Sequence, residues 1–192
     1  IIAWTANIAH WNDVGGMVPG SMSSDATSIF QEGVRIPAVK LFDAGVANQA
    51  VFDILYINSR LPDYLRGDLW AGIAGVRIGE RRILELVEKY GTDTFEAALD
   101  DFMELGERRA RAALKTLPKG VYHFAEEQDD GAIYKVTIEI KDDEFVIDLR
   151  DNPKQSGSKN SSREGVEISA QLAFKAVTDT QAPGNGGFLR PL

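Results

Sequence analysis

The chain has 192 residues, enough for one domain or two small ones, and its 44% hydrophobic and 26% charged residues are typical of a globular protein. Its net charge of −8 argues against a nucleic acid or an anionic membrane as partner, because both select a basic face. The sequence contains no cysteine, which excludes disulfides and thiolate metal sites and suits the cytoplasm. No apolar run is long enough to span a bilayer, so we expect no membrane partner.

The two ends of the chain are unusual. It begins with Ile1-Ile2 instead of methionine, and it ends on the apolar residues 188–192 directly after a glycine-rich turn. Natural termini are usually polar and frayed. We therefore expect an internal fragment of a longer protein, in which part of any functional site lies elsewhere.

The first predicted element is a buried strand over residues 1–9, which are apolar and partly β-branched or aromatic. An irregular glycine-rich loop follows over residues 10–22 and contains His10 and Asp13. A histidine and an aspartate where a strand ends are typical of a metal site or a proton-transfer site. A half-buried structural histidine and a simple turn at Asp13 remain open as alternatives.

Residues 17–46 show no period, and so long an irregular segment is uncommon unless it is functional or covers something. Apolar residues at three- and four-residue steps then predict a short helix over 47–59 and a long one over 62–90. Gly72, Gly75 and Gly79 fall near one face of the long helix. They indicate either close approach by another element or a flexible break.

Gly91 is predicted to end the long helix, and the spacing of Asp93 and Glu96 predicts a capping box for a further helix over 95–117. The charges of that helix follow its dipole, acidic first and basic second, as on a solvated face. Two long helices joined at Gly91 predict a helical hairpin.

After residue 118 the hydrophobic period changes to two, which predicts strands over 121–124, 134–141 and 144–149. His123 is expected on a strand face without a chemical role. Residues 151–162 are expected to form a surface loop or lid, and residues 164–178 a final amphipathic helix. The loop 182–187 looks mobile, but it lacks the context and the lysine of a phosphate-binding loop.

These elements predict an α+β fold: an N-terminal strand and long loop, a helical hairpin, and a small antiparallel sheet with a covering helix. The chain divides in this interpretation into three segments. Residues 1–46 carry the candidate site, residues 47–117 are helical, and residues 118–192 form the β segment with its C-terminal helix.

Several motifs, in the same order, resemble the hydantoinase B/oxoprolinase family. They are residues 10–16, 19–22, 31–37, 67–69, 76–82 and 86–91, and together with the closing residues they make the likeness run over nearly the whole chain. The closing residues 185–191 resemble an Asn-x-Gly-x-Phe-Arg-Pro stretch of that family, with one residue inserted before the arginine. Two departures are visible: Trp11 stands where many members have a second histidine, and residues 148–153 look more like the aryl-ketone carboxylase and lactamase branches.

The resemblance implies a B-type subunit of an ATP-dependent hydrolase of cyclic amides such as a hydantoin, 5-oxoproline or a lactam. ATP would be used by a partner subunit or domain of the hydantoinase A type. An acetone- or acetophenone-type ketone carboxylase subunit is the alternative enzyme. A scaffold that only docks the ATP-using partner is the alternative from another class.

The resemblance also implies that His10 is a ligand of a divalent metal whose other ligands precede residue 1. One imidazole with oxygen or nitrogen donors suits Zn²⁺ or Mn²⁺. Asp13 would orient His10, with a turn-capping role as its alternative. Glu32 and Arg35 are the further candidates for the catalytic lining. The alternative for these two residues is that they form an exposed pair.

Overall fold

A computed structural model describes residues 1–154 and 160–192 of the chain. These residues form two compact units, Ile1–Lys89 and a second one made of residues 90–154 with 160–192. The division into segments 1–46, 47–117 and 118–192 remains a prediction. Residues 155–159 of the expected loop or lid lie outside the described residues.

The first unit contains a short hairpin and two helices. Strands β1 (Phe42–Asp43) and β2 (Val46–Ala47) pair antiparallel. The turn between them places Ala44 and Gly45 at φ values of 48° and 84°, as a tight two-residue hairpin requires. Helix α1 (Gln49–Ile57) follows, and then helix α2 (Pro62–Tyr90). A single 3₁₀ turn (Ile29–Gln31) interrupts the long irregular segment, and Ser28 caps it.

The core of the first unit joins α1 to the first half of α2. Its buried members are Phe52, Leu55, Leu65, Leu69 and Ile73. The ring of Trp70 stacks on that of Phe52 with 5.8 Å between centroids. Partly buried side chains from the irregular segment, including Trp11 and Leu41, pack against this cluster and fix the loop on the helices.

The predicted strand over residues 1–9 is wrong. These residues have no strand partner, and Ile1, Trp4 and Ile8 are 98%, 82% and 92% exposed. The segment lies instead along α2, where the Thr5 hydroxyl donates to the Val76 carbonyl at 3.0 Å and the Asn7 amide donates to the Gly72 carbonyl at 2.6 Å. Apolar composition alone suggested the strand, but a strand also needs a neighbour for its backbone groups.

The glycines of α2 explain this contact. A Cβ on Gly79 would lie 2.7 Å from the Thr5 Cγ2 atom, and one on Gly72 would lie 3.2 Å from the Asn7 side chain. The helix continues through all of its glycines. Close approach by another element is therefore confirmed, and that element is the segment before His10.

The second unit contains helix α3 (Thr92–Leu114), strands β3 (Gly120–Glu127), β4 (Ile133–Ile140) and β5 (Phe145–Asp148), and helix α4 (Arg163–Val177). The strands form one antiparallel sheet in the order β3-β4-β5. Phe124 pairs with Val136 and Ile138 pairs with Ile147. The three predicted strands are confirmed, with β3 twice as long as expected.

The core of the second unit lies between α3, α4, β5 and the closing loop. Phe174 of α4 packs against Phe145 of β5 at 5.2 Å and against Phe188 at 5.4 Å between ring centroids. Helix α4 therefore covers the sheet, and the α+β class is confirmed. In the part of the chain that the structure describes, no helix combines the length and hydropathy needed to cross a membrane.

The start of α3 corrects a second expectation. The helix begins at Thr92 instead of Phe95, its N-cap is Gly91, and no side chain caps it. The predicted capping box of Asp93 and Glu96 is therefore wrong. Asp93 lies inside the first turn, where its charge still favours the helix dipole. Gly91 does separate the two long helices, with φ of 82°.

Candidate functional site: the loop before and after Asp13

The glycine-rich loop takes a path that only a few residue types allow. Gly15 and Gly20 have φ values of 80° and 82°. A Cβ on Gly15 would also collide with the Asn58 carbonyl oxygen. The Ser21 hydroxyl accepts hydrogen bonds from the backbone N–H groups of Val14 and Gly16, both at 2.9 Å. The Ser21 side chain therefore closes the loop on itself through local hydrogen bonds to its backbone.

Asp13 lies at the centre of this loop and is 2% exposed. Its carboxylate accepts hydrogen bonds from the backbone N–H of Gly15 at 3.0 Å and of Gly20 at 2.9 Å. Arg60, in the short connection between α1 and α2, donates to it from the backbone N–H at 3.0 Å and from Nη1 at 2.8 Å. Both carboxylate oxygens are therefore engaged.

Arg60 ties the loop to the helices with its remaining donors. Its Nη2 atom donates to the Gly16 carbonyl at 2.6 Å, and Nη1 also reaches the Val18 carbonyl at 3.3 Å. A planar guanidinium suits this role because its donors point in fixed directions. The buried carboxylate and the half-exposed guanidinium thus form one bridge between loop and helix connection.

The same contacts set the acidity of Asp13. The backbone N–H of Arg60 contributes most, and the Gly15 and Gly20 N–H groups with the Arg60 guanidinium add to it. Together they hold the pKa of the carboxyl well below its ordinary value, although burial opposes them. Asp13 is therefore a permanent anion at neutral pH and positions the loop.

His10 lies just before this bridge and is exposed. It lines an open cleft of about 330 Å³ between the N-terminal segment and α2. Asp68 of α2 lines the same cleft. The imidazole is therefore not enclosed in an apolar core, and it faces a space that a ligand can enter.

The other two candidates lie farther along the irregular segment. Glu32 is exposed and ends the 3₁₀ turn. Arg35 is exposed, and its guanidinium carbon lies 5.3 Å from the centre of the Phe30 ring. The contacts of Asp13 go to backbone groups and Arg60, so the structure does not bring the four candidates together by hydrogen bonds.

The described residues around His10 supply only part of the ligands that a metal ion needs. Within residues 1–154 and 160–192, no group of three or more histidine, aspartate or glutamate side chains is placed to hold one. His10 offers one imidazole, and the oxygens of Asp13 already accept four hydrogen bonds. The described residues therefore do not form a metal site by themselves.

Two residues of the site were not found by sequence analysis. Arg60 precedes a proline at a helix break, and nothing in that context indicates a partner 47 residues earlier. Asp68 lies inside the family-like stretch 67–69, on the face of α2 that meets the N-terminal segment. Only the path of residues 5–11 along α2 reveals why that position matters.

Known proteins match most or all of this chain. It is 34% identical to the B component of a putative D-/L-hydantoinase from a Pseudomonas species, over 100% of this chain and 36% of that protein. The crystal structure of an ATP-dependent caprolactamase from Pseudomonas jessenii superposes with a TM-score of 0.84 at 32% identity, over 93% of this chain and 32% of that one. A more distant match is the acetophenone carboxylase delta subunit of Aromatoleum aromaticum, 25% identical over 82% of this chain and 24% of that protein.

The chain spans about a third of the length of the first two of these proteins. Several of these relatives are named as subunits. The family model described as hydantoinase B/oxoprolinase matches residues 1–192. The chain therefore belongs to the hydantoinase B/oxoprolinase family.

Proposed function

We propose that this chain is part of the B-type subunit of an ATP-dependent cyclic-amide hydrolase acting on a hydantoin, 5-oxoproline or a lactam. The observation that carries the proposal is the match to a hydantoinase component over 100% of the chain and to a caprolactamase over 93% of it. Both matches exceed 30% identity, whereas the carboxylase match is weaker and shorter. The hydrolase is therefore favoured over the ketone carboxylase.

His10 is proposed as the residue of this chain that contacts the reacting centre. Its support is exposure to a cleft beside a rigid loop, since a site works best when a fixed scaffold presents it. Asp13 is a positioning residue in this proposal: it holds the loop that follows His10. Glu32 and Arg35 are proposed as polar lining from the same irregular segment.

A divalent metal, Zn²⁺ or Mn²⁺, is part of the proposal only if donors from outside residues 1–192 complete the set. A hydantoinase A-type partner is proposed to use the ATP. No reaction step is assigned to the metal, because the described residues of this chain supply too few ligands for it.

The test compares two histidine variants of the full-length protein in complex with its partner. His10→Ala is expected to lower both bound metal and ATP-dependent turnover of a cyclic amide. His123→Ala is the matched control, because its ring lies on exposed β3 and contacts the Thr137 hydroxyl at 2.9 Å. It is expected to change neither quantity.

Full turnover and unchanged metal content in His10→Ala would refute the role of His10 and favour the docking scaffold. A strict requirement for bicarbonate, with carboxylated product, would refute the hydrolase and favour the ketone carboxylase. Metal is measured by elemental analysis and turnover by product formation.

A further inference from the structure

Strand β3 lies at one edge of the sheet in the second unit, because the strand order is β3-β4-β5. All eight of its residues are exposed, whereas most residues of β4 and β5 are at least half-buried. Its pairing with β4 runs without a bulge from Gly120 opposite Ile140 to Glu127 opposite Ile133. The strand is therefore long and regular, and it has one open edge.

Hydrogen bonds beside β3 show which of its backbone groups point out of that edge. The Asn152 side chain binds the N–H and the C=O of Lys135 at 2.8 and 2.7 Å, so these groups of β4 point away from β3. The Gln128 N–H donates to the Ala132 carbonyl at 2.8 Å, so the even-numbered residues form the bonds between the two strands. Backbone groups alternate in direction along an antiparallel pair. The outward groups of β3 therefore belong to its odd-numbered residues, which are Val121, His123, Ala125 and Glu127.

These outward groups have no hydrogen-bond partner in the described residues. Natural edge strands are usually short or bulged, or they carry lysine or proline, and each of these features prevents pairing with another strand. The sequence Gly-Val-Tyr-His-Phe-Ala-Glu-Glu of β3 contains neither residue, and its only acidic side chains are the last two. Strand β3 thus has the features of a strand that accepts a further neighbour.

The opposite edge of the same sheet is protected. Strand β5 has only four residues, and the Phe145 N–H donates to the Pro191 carbonyl at 2.7 Å. The Phe145 ring is 3% exposed and packs against Phe174 of α4. The closing residues of the chain and α4 therefore cover this edge, which leaves β3 as the edge at which the sheet can be extended.

We propose that the full-length subunit adds a fourth strand beside β3, and that this strand comes from a part of the same polypeptide outside residues 1–192. The inference rests on the proposed function, because it takes this chain as part of a B-type subunit. The chain covers 36% of the hydantoinase relative and 32% of the caprolactamase, so most of each protein lies outside the match. The added strand bonds to the outward backbone groups of β3, as in other cases of strand addition.

The side chains of β3 predict the composition of the added strand. Val121 and Tyr122 are 55% and 44% exposed and lie in the uncharged part of β3, so apolar residues are expected beside them. Glu126 and Glu127 end β3, and Asp129 lies in the turn that follows. A lysine or arginine is therefore expected at the end of the added strand that lies next to these carboxylates, because opposite charges across a strand pair attract.

The first measurement is hydrogen exchange, resolved by residue, on the full-length subunit without its partner. The amides of Val121, His123 and Ala125 are expected to exchange at least about ten-fold more slowly than in an unstructured peptide, because exchange requires opening of the added ladder. On an open edge the same three amides face water and exchange near the peptide rate. The amides of Tyr122 and Phe124, which bond to β4, are the internal reference.

A proline variant tests whether the outward groups are used. Ala125→Pro removes one outward N–H and keeps the hydrogen bonds between β3 and β4, so an edge that faces water tolerates it. In the full-length subunit it is expected to abolish the slow exchange of Val121 and His123, while Tyr122 stays protected. Ala125→Val is the matched control, because it keeps the N–H, and it is expected to leave the exchange of all three amides unchanged.

Photo-cross-linking identifies the added strand and does not depend on the folding of the proline variant. The full-length subunit carries p-benzoylphenylalanine in place of Val121, and the linked peptides are identified by mass spectrometry. The expected product has the mass of one subunit and links position 121 to a peptide outside residues 1–192. That peptide is expected to be rich in apolar residues and to contain a lysine or arginine.

Exchange of the Val121, His123 and Ala125 amides at the peptide rate would overturn the proposal. So would a link from position 121 to a second copy, to the ATP-using partner or to residues 1–192, and so would the absence of any link within the subunit. These readouts are independent of turnover. The expected protection and link without hydrolysis of a cyclic amide refute the proposed reaction alone, whereas hydrolysis by a subunit with an open β3 edge refutes this inference alone.

Discussion

The two glycine-rich loops of this chain are held by opposite means. Residues 10–22 in the first unit close around the buried carboxylate of Asp13, which accepts hydrogen bonds from two loop N–H groups and from Arg60. Residues 182–192 in the second unit close around the ring of Phe188, which is 0% exposed in an apolar cluster. One loop is fixed by directed polar contacts and the other by burial.

The difference bears on which loop can carry a site. Hydrogen bonds to a buried anion fix a backbone path without requiring that neighbouring side chains be covered. His10 can therefore stay exposed beside a cleft. A loop that is fixed by a buried aromatic ring is stable only if that ring stays covered. Residues 182–187, which looked mobile in the sequence, are anchored further by the Asn185 amide, which donates to the Phe102 carbonyl at 2.7 Å.

The largest effect on stability is expected from removing the buried ring of Phe188. Phe188→Ala should cost about 3–5 kcal/mol of unfolding free energy, because it leaves a cavity among Phe174, Leu114 and their neighbours. Chemical denaturation monitored by circular dichroism measures the change. Phe124→Ala is the control, since that ring on β3 is 64% exposed and should contribute little. Equal losses in the two variants would contradict fixation by burial.

The next largest loss of stability is expected in the loop of residues 10–22. Asp13→Asn removes the charge that Arg60 and the loop amides surround, and a loss of about 1.5–3 kcal/mol is expected, as for hydrogen bonds to a buried charged group. Asp43→Asn is the matched control: its pair with Lys40 is about three-quarters exposed on both sides and should be worth less than about 1 kcal/mol. Denaturation of both variants in the same buffer gives the comparison.

A stability loss alone would not connect the bridge to the site. Asp13→Asn should also increase hydrogen exchange at the Gly15 and Gly20 amides, which donate to the carboxylate. Unchanged exchange at these two amides, with normal exchange elsewhere, would show that the loop keeps its path without the anion.

The sequence was sufficient for the parts of the fold that depend on local periodicity. Helix α2, the three strands and helix α4 follow from apolar spacing. The stripe of Gly72, Gly75 and Gly79 left close packing and a flexible break open, and the structure shows close packing. The prediction from sequence failed at residues 1–9. An apolar composition there fits a segment that lies on a helix as well as it fits a strand. Periodicity reports which residues seek burial and does not identify their partner.

The candidate site shows the same limit. The sequence located the loop and named Asp13, but Arg60 is 47 positions away and no local pattern links the two. The Trp11 indole N–H is buried and has no hydrogen-bond partner among the described residues, which is likewise a property of its surroundings in the fold. Long-range polar contacts depend on the assembled fold, and one sequence carries no trace of them.

A smaller effect is expected where the N-terminal segment meets α2. Gly79→Ala places a methyl group against Thr5 and should destabilise the first unit by about 1–3 kcal/mol. Gly67→Ala, in the same helix with open space around it, should instead stabilise by about 0.5–1 kcal/mol through higher helix propensity. Opposite signs in thermal unfolding would support close packing, whereas two stabilising changes would contradict it.

The smallest and most diagnostic effect is the pH dependence of the stability that Asp13 contributes. The folded-state pKa of Asp13 lies below its unfolded value of about 3.9. Its contribution to stability is therefore fully present above that value and is lost as the pH falls towards the folded-state pKa. The stability difference between wild type and Asp13→Asn should be constant from about pH 5 to 7 and shrink below about pH 4.

Asp148 in the second unit provides the contrast. Arg150 lowers its pKa to about 2, so it loses stabilisation in the same acidic window. The guanidinium of Arg150 is 89% exposed, however, and salt screens an exposed pair. Added salt should therefore reduce the pH-dependent difference in unfolding free energy between wild type and Asp148→Asn. The corresponding difference for Asp13→Asn should fall less, because the Asp13 side chain is 1% exposed. Equal salt sensitivity would mean that the Asp13 bridge is open to water in solution, and the contrast between a loop fixed by a buried anion and an ordinary surface pair would fail.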